Sequence, residues 1–98
     1  MLEKEIEKRV CDHAKAKGML VYKFSSPGHR AVPDRMFVVP MGNIFFVEFK
    51  SPGNKPTPQQ EREHFRLAAH GVRVYWTDNI EQGIAILEKE ISDARRVT

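Results

Sequence analysis

Two carboxylates and a lysine carry the chemistry that this sequence offers: Pro33-Asp34, and then Glu48-Phe49-Lys50 directly behind the apolar run Ile44-Phe45-Phe46-Val47. Side chains alternate along an extended strand, so Glu48 and Lys50 share a face with Ile44 and Phe46, while Phe45, Val47 and Phe49 point the other way. Apolar residues on both faces mark a central, buried strand. Burying a carboxylate and an ammonium costs several kcal/mol unless they compensate each other or meet a metal ion or a phosphate. Asp34 adds a second carboxylate. Hard oxygen ligands beside a cation suit Mg2+ or Mn2+ acting on a phosphodiester. The metal polarises the phosphoryl oxygen and activates water, and the lysine orients that water or holds charge. A plain structural account competes with this: a half-exposed same-face Glu48–Lys50 ion pair and a turn aspartate after proline. The Pro-Asp, the apolar run on both faces and the hairpin spacing weigh against it.

A chain of 98 residues with 41% hydrophobic content supports one modest core and has no room for a second domain. Residues 1–91 are read as that domain and residues 92–98 as a polar tail. Lys and Arg (16) exceed Asp and Glu (13), giving a net charge of +3, which is compatible with a polyanionic partner without requiring one. Met1-Leu2-Glu3-Lys4-Glu5 does not resemble an export signal, and no apolar run reaches membrane-spanning length, so the expectation is a protein of the cytoplasm with no membrane partner. The single cysteine, Cys11, cannot form an internal disulfide, and His13, His29, His64 and His70 lack zinc-ligand spacing.

The elements that must position Asp34, Glu48 and Lys50 are legible from periodicity. Leu2, Ile6, Val10 and Ala14 recur every fourth residue before Gly18, predicting an amphipathic helix over 2–17. At 100° per residue, Glu3 and Glu7 fall within the apolar arc, an unusual place for an acid. Strands are expected at 19–24, 36–39 and 44–50, with a loop at 25–30 and a turn at 40–43. The resulting hairpin brings Asp34 and Glu48 to one end of the sheet. Thr57-Pro58 suits the start of a second helix, ended at Gly71 and followed by a strand at 72–77. Ile80, Ile84, Leu87 and Ile91 mark a last helix over 80–91. The order is αβββαβα, an α/β fold. Its sheet is mixed because hairpins are antiparallel, whereas a strand-helix-strand crossover is parallel. Tyr75 and Trp76 face opposite sides of the fourth strand, where core packing is the better account than base stacking.

These residues in this order resemble the PD-(D/E)xK nuclease superfamily, and within it the virus-type replication-repair nuclease (VRR-NUC) branch. The resemblance is carried by the glutamate-bearing first helix, Ser26-Pro27-Gly28 ahead of Val32-Pro33-Asp34-Arg35, Phe46-Val47-Glu48-Phe49-Lys50, Thr57-Pro58-Gln59-Gln60 and Gly71-Val72. It implies a restriction-endonuclease-like core. It places a Mg2+ or Mn2+ ion on Asp34, Glu48 and the Phe49 carbonyl, with Lys50 beside the attacked phosphate. It also implies a first-helix acid near the metal, Glu7 or Glu3 with Glu7 preferred, and a role for Gln60. Small members of this branch look like phage or prophage homodimers that cut branched DNA, four-way (Holliday) junctions included.

Lys23, His29, Arg30, Arg35 and Lys55 flank the site in loops and at strand ends, where basic groups contact phosphates without reading sequence. A structure-specific endodeoxyribonuclease is therefore the leading expectation. The alternatives are another PD-(D/E)xK endonuclease, restriction-like or flap-cutting, and a non-catalytic DNA-binding module. So small a chain has little spare surface for reading bases, which argues against the restriction enzyme, and intact Asp34, Glu48 and Lys50 argue against the module.

Overall fold

The computed structural model describes residues 1–97 and contains the seven elements in the expected order. They are α1 (Glu3–Ala16), β1 (Leu20–Lys23), β2 (Arg35–Val38), β3 (Ile44–Phe49), α2 (Pro58–Ala69), β4 (Arg73–Thr77) and α3 (Ile80–Val97). The strands form one sheet in the order β1-β2-β3-β4. β1/β2 and β2/β3 are antiparallel and β3/β4 is parallel, as hairpins followed by a helical crossover require. β3 is therefore central, with β4 at one edge and β1 at the other.

Alternation along β3 divides the molecule. Phe45, Val47 and Phe49 join Phe37 of β2 in a core covered by α1 and α3, whose Ile6, Val10, Ala14 and Leu87 are fully buried. Phe37 and Phe45 stack at 5.0 Å, and Tyr75 meets Phe45 edge-on at 5.9 Å. The opposite face carries Phe46, Glu48 and, in register on β4, Val74 and Trp76. Among the described helices α2 packs there, against β4, and Phe24 tilts against Phe46 at 4.9 Å, while Leu20 and Tyr22 of β1 stay exposed. The division explains why an alternating strand could be apolar on both faces and still present a charged pair.

One expectation is corrected. Residues 92–97, read from sequence as a polar, frayed tail, continue α3, and Ala94 is buried in the core. Ala94 extends the stripe of Leu87 and Ile91 by another turn, and the Lys89–Asp93 ion pair at 3.0 Å spans the same turn on its outer side. Thr98 lies outside the described residues.

α1 and α3 approach closely at Gly83, where a Cβ would lie 2.5 Å from Cγ2 of the fully buried Val10. Gly83→Ala should therefore destabilise the protein. Overpacking typically costs about 1–3 kcal/mol, and the helix-propensity gain of about 1 kcal/mol does not offset it. Chemical denaturation checks this, and an alanine variant as stable as the parent would show that the helices separate freely.

Candidate active site

Glu48 and Asp34 meet at the end of the sheet where the β2–β3 hairpin places them. Asp34 is held by the main chain: its Oδ2 accepts the Phe49 N–H at 2.8 Å, and its own carbonyl accepts the Phe24 N–H at 2.9 Å. Glu48 is only 3% exposed. Its Oε2 accepts from Gln60 Nε2 at 3.1 Å and lies 3.7 Å from Lys50 Nζ. Its Oε1 is buried and has no hydrogen-bond partner.

Gln60 arrives there because of how α2 begins. Thr57 caps the helix, accepting the Gln60 N–H at 3.2 Å, and donates its own N–H to Gln60 Oε1 at 2.9 Å, with Pro58 in the first turn. The amide oxygen being used on the cap, the NH2 end points at Glu48. One side chain thus fastens both the helix start and the carboxylate.

The two acids strain each other. Burial, then the negative charge of Asp34, pushes the Glu48 carboxyl up to about 8. Asp34 is also raised, first by burial, with the Glu7 charge adding to it and the Phe49 N–H opposing it. At neutral pH the pair therefore retains a proton. A buried carboxylate pair with one unsatisfied oxygen and a half-buried lysine is the arrangement that perturbed active-site acids show.

The other sequence-derived residues separate into distinct places. Glu7 accepts from Arg35 Nε at 2.6 Å on the α1 side of the sheet, opposite Glu48, so Arg35 is engaged within the molecule. Glu7 nonetheless lies within electrostatic reach of Asp34, whereas Glu3 is the first-helix acid whose charge reaches Glu48. His29 and Arg30 line a groove of about 400 Å³ with Gln59, Arg62 and Arg66 of α2. Lys23 is exposed at the end of β1, and Lys55 is exposed in the loop before α2. Sequence reasoning passed over Arg62 and Arg66. The signal was there in their spacing with Gln59 (i, i+3, i+7), which places all three on one face of α2. It also passed over His64, whose Nε2 is buried without a partner and whose pKa is lowered chiefly by burial, keeping the ring neutral.

Two measurements follow. Because Glu48 binds its proton more tightly folded than unfolded, the stability it contributes is fully present below its unfolded value and is lost as pH rises to about 8. The metal-free protein should accordingly lose this contribution between about pH 5 and about pH 8, with no further loss from Glu48 above that, and the loss should be absent in Glu48→Gln. Equal slopes in thermal melts would place the proton elsewhere. Gln60→Ala should lose about 1 kcal/mol of stability with the cap bond, whereas Gln60→Glu retains the cap yet adds a third carboxylate to a pair that already carries one negative charge. The glutamate variant should then keep most of its stability below about pH 5, where carboxylates protonate, and lose it at neutral pH. A melting profile parallel to wild type would mean that the Gln60–Glu48 contact carries no weight.

No protein-family model matches the chain. It is 51% identical over 77 residues to "Putative nuclease p44" of Acyrthosiphon pisum secondary endosymbiont phage 1, an alignment covering 79% of this chain and 83% of the relative. A solved structure described as a "VRR_NUC domain" superposes with a TM-score of 0.81 at 34% identity, covering 88% of this chain and 94% of the other. With the sheet order, the placement of the acids and both likenesses in agreement, this chain belongs to the VRR-NUC family of nucleases.

Proposed function

We propose that this nuclease is a Mg2+- or Mn2+-dependent endodeoxyribonuclease that cuts branched DNA, four-way junctions foremost, as a homodimer encoded by a phage or prophage and acting in the bacterial cytoplasm. The observation that carries the metal-dependent reading is Glu48: a buried carboxylate, raised in pKa, with one oxygen unpartnered and the other braced by Gln60 and Lys50. Among the described residues, no three His, Cys, Asp or Glu side chains converge on one point. That suits Mg2+, which takes one or two carboxylates and keeps several waters, better than a caged transition metal. Asp34, Glu48 and the Phe49 carbonyl would hold the ion, with Glu7 or Glu3 of α1 acting on it through charge rather than as a direct ligand.

A bound divalent ion supplies Lewis acidity to the phosphoryl oxygen and a more acidic water. The protein's part is positioning and proton control. Glu48 would release to solvent the proton that burial and the Asp34 charge hold on it once a cation offsets that repulsion. Gln60 keeps the Glu48 oxygens in place, and Lys50 holds positive charge at the attacked phosphate. His29, Arg30, Arg62 and Arg66 hold flanking phosphates, with Lys23 and Lys55 farther along the backbone.

Support for a dimer comes from the open face of the sheet, where Leu20 and Tyr22 of β1 and, across Val38 of β2, Ile44 of β3 are about half exposed. Exposed apolar rows of this kind mark protein contacts. The phage source of the p44 relative supports the phage assignment. No helix among the described residues is long and apolar enough to cross a membrane.

The test is cleavage of labelled linear, flapped, forked and four-way DNAs with and without Mg2+. Cutting should require the metal and favour the four-way junction; indifference to shape would remove the junction reading. Glu48→Gln should abolish cutting while the fold survives, since shape is kept and the ligand charge is lost. Lys50→Met should bind metal in calorimetry yet turn over at least about 100-fold more slowly, the usual scale for a lost charge-stabilising group. Normal turnover by the Glu48 variant would sink the metal site.

A further inference from the structure

A second concavity lies beside the carboxylates, between α2 and β4. Its volume is about 360 Å³, within the range of small-ligand sites. Trp76 and Val74 contribute from the sheet, and His64 and Phe65 from α2. Phe65 is 75% exposed, an aromatic ring held in solvent at the edge of a half-covered tryptophan. Two of its lining residues lie next to the carboxylate site. Trp76 is the register partner of Glu48 on the adjoining parallel strand, about 4.8 Å away by strand spacing. His64 follows Gln60 by one helical turn, about 6 Å along the axis, and the charges of Lys50 and Asp34 reach it.

We infer that this cavity receives one unstacked nucleobase of the substrate, next to the bond being cut. The inference rests on the nuclease reading above and adds to it a site that recognises an unpaired base. The chemistry of the lining selects this occupant. Phe65 and Trp76 offer ring faces on which any base stacks. His64 adds its ring to the lining, while its unpartnered Nε2 has no surface exposed to the cavity. Lys55 and Glu61 oppose each other on the rim, so rings rather than net charge hold the ligand, and a phosphate is a poorer fit than a base. A separation from the active carboxylates of one strand spacing and one helical turn corresponds to one or two nucleotides along a strand. A base freed at a branch point is available there, and one locked in a duplex is not.

Trp76 is the sole tryptophan in the sequence and therefore reports on its own cavity. The full-length protein is titrated without metal, so that no cutting occurs, with a fork carrying ordinary unpaired nucleotides and with the same fork made abasic in its unpaired arm. The expected result is quenching of Trp76 emission by the first and not by the second. Phe65→Ala, at an exposed position that the fold tolerates, should weaken binding to the ordinary fork by roughly 5- to 150-fold, the range of one lost base stack. It should leave binding to blunt duplex unchanged, and Phe65→Tyr should restore the fork. Equal quenching by the abasic fork, no quenching by either, or equal weakening on blunt duplex would overturn the base site. So would a Phe65→Ala protein that changes its mass in sedimentation while keeping base-dependent quenching, because Phe65 would then face a protein partner. A wild type that quenches as expected but cuts nothing with Mg2+ would sink the enzymatic reading and leave the base site standing. Normal cutting without base-dependent quenching would do the reverse.

Discussion

Two carboxylates, Asp34 and Glu48, are buried against each other at the end of a sheet, and much of the surrounding structure exists to hold them there. Left alone they would repel, and burial without compensation would add several kcal/mol of cost. The Phe49 N–H fixes Asp34, and Gln60 and Lys50 brace one oxygen of Glu48. A retained proton relieves the repulsion, and in the proposed function a cation would take its place.

A second buried acid in the same protein shows what full compensation looks like. Glu90 of α3 has no exposed surface, yet both of its oxygens are satisfied by Arg73 at 2.8–3.1 Å and by the Tyr75 hydroxyl at 2.6 Å. That carboxylate pins α3 to the edge strand and has nothing left to offer a ligand. Glu48, equally enclosed, keeps one oxygen unpaired. Burial is common to both residues; unfilled hydrogen-bonding capacity is what sets Glu48 apart.

The two faces of the sheet divide the work. α1 and α3 seal one face into a core of stacked phenylalanines, fitted so closely that Gly83 has no room for a side chain. That rigid side supplies stability. On the other face α2 brings Gln60 to the acids, Arg62 and Arg66 to the groove, and His64 and Phe65 to the cavity over Trp76. A single helix thus serves separate tasks, because Gln60 and His64, one turn apart, share one side of it while Arg62 and Arg66 share another.

The sequence by itself determined the order of elements, the mixed sheet and the trio Asp34, Glu48 and Lys50, because periodicity, turn residues and charges in an apolar strand are local signals. It also pointed to Gln60 through the Thr-Pro-x-Gln pattern. It misjudged the end of α3, since a stripe continued by Ala94 among polar residues reads like a tail until α3 is seen packed into the core. Only the tertiary structure decided that Gln60 spends its oxygen on the cap and its NH2 on Glu48. It alone turned Arg35 towards Glu7 and left Glu48 Oε1 and His64 Nε2 without partners. Those outcomes depend on which groups meet across distant segments, and hydrogen-bond satisfaction is a property of the packed whole that no local pattern encodes.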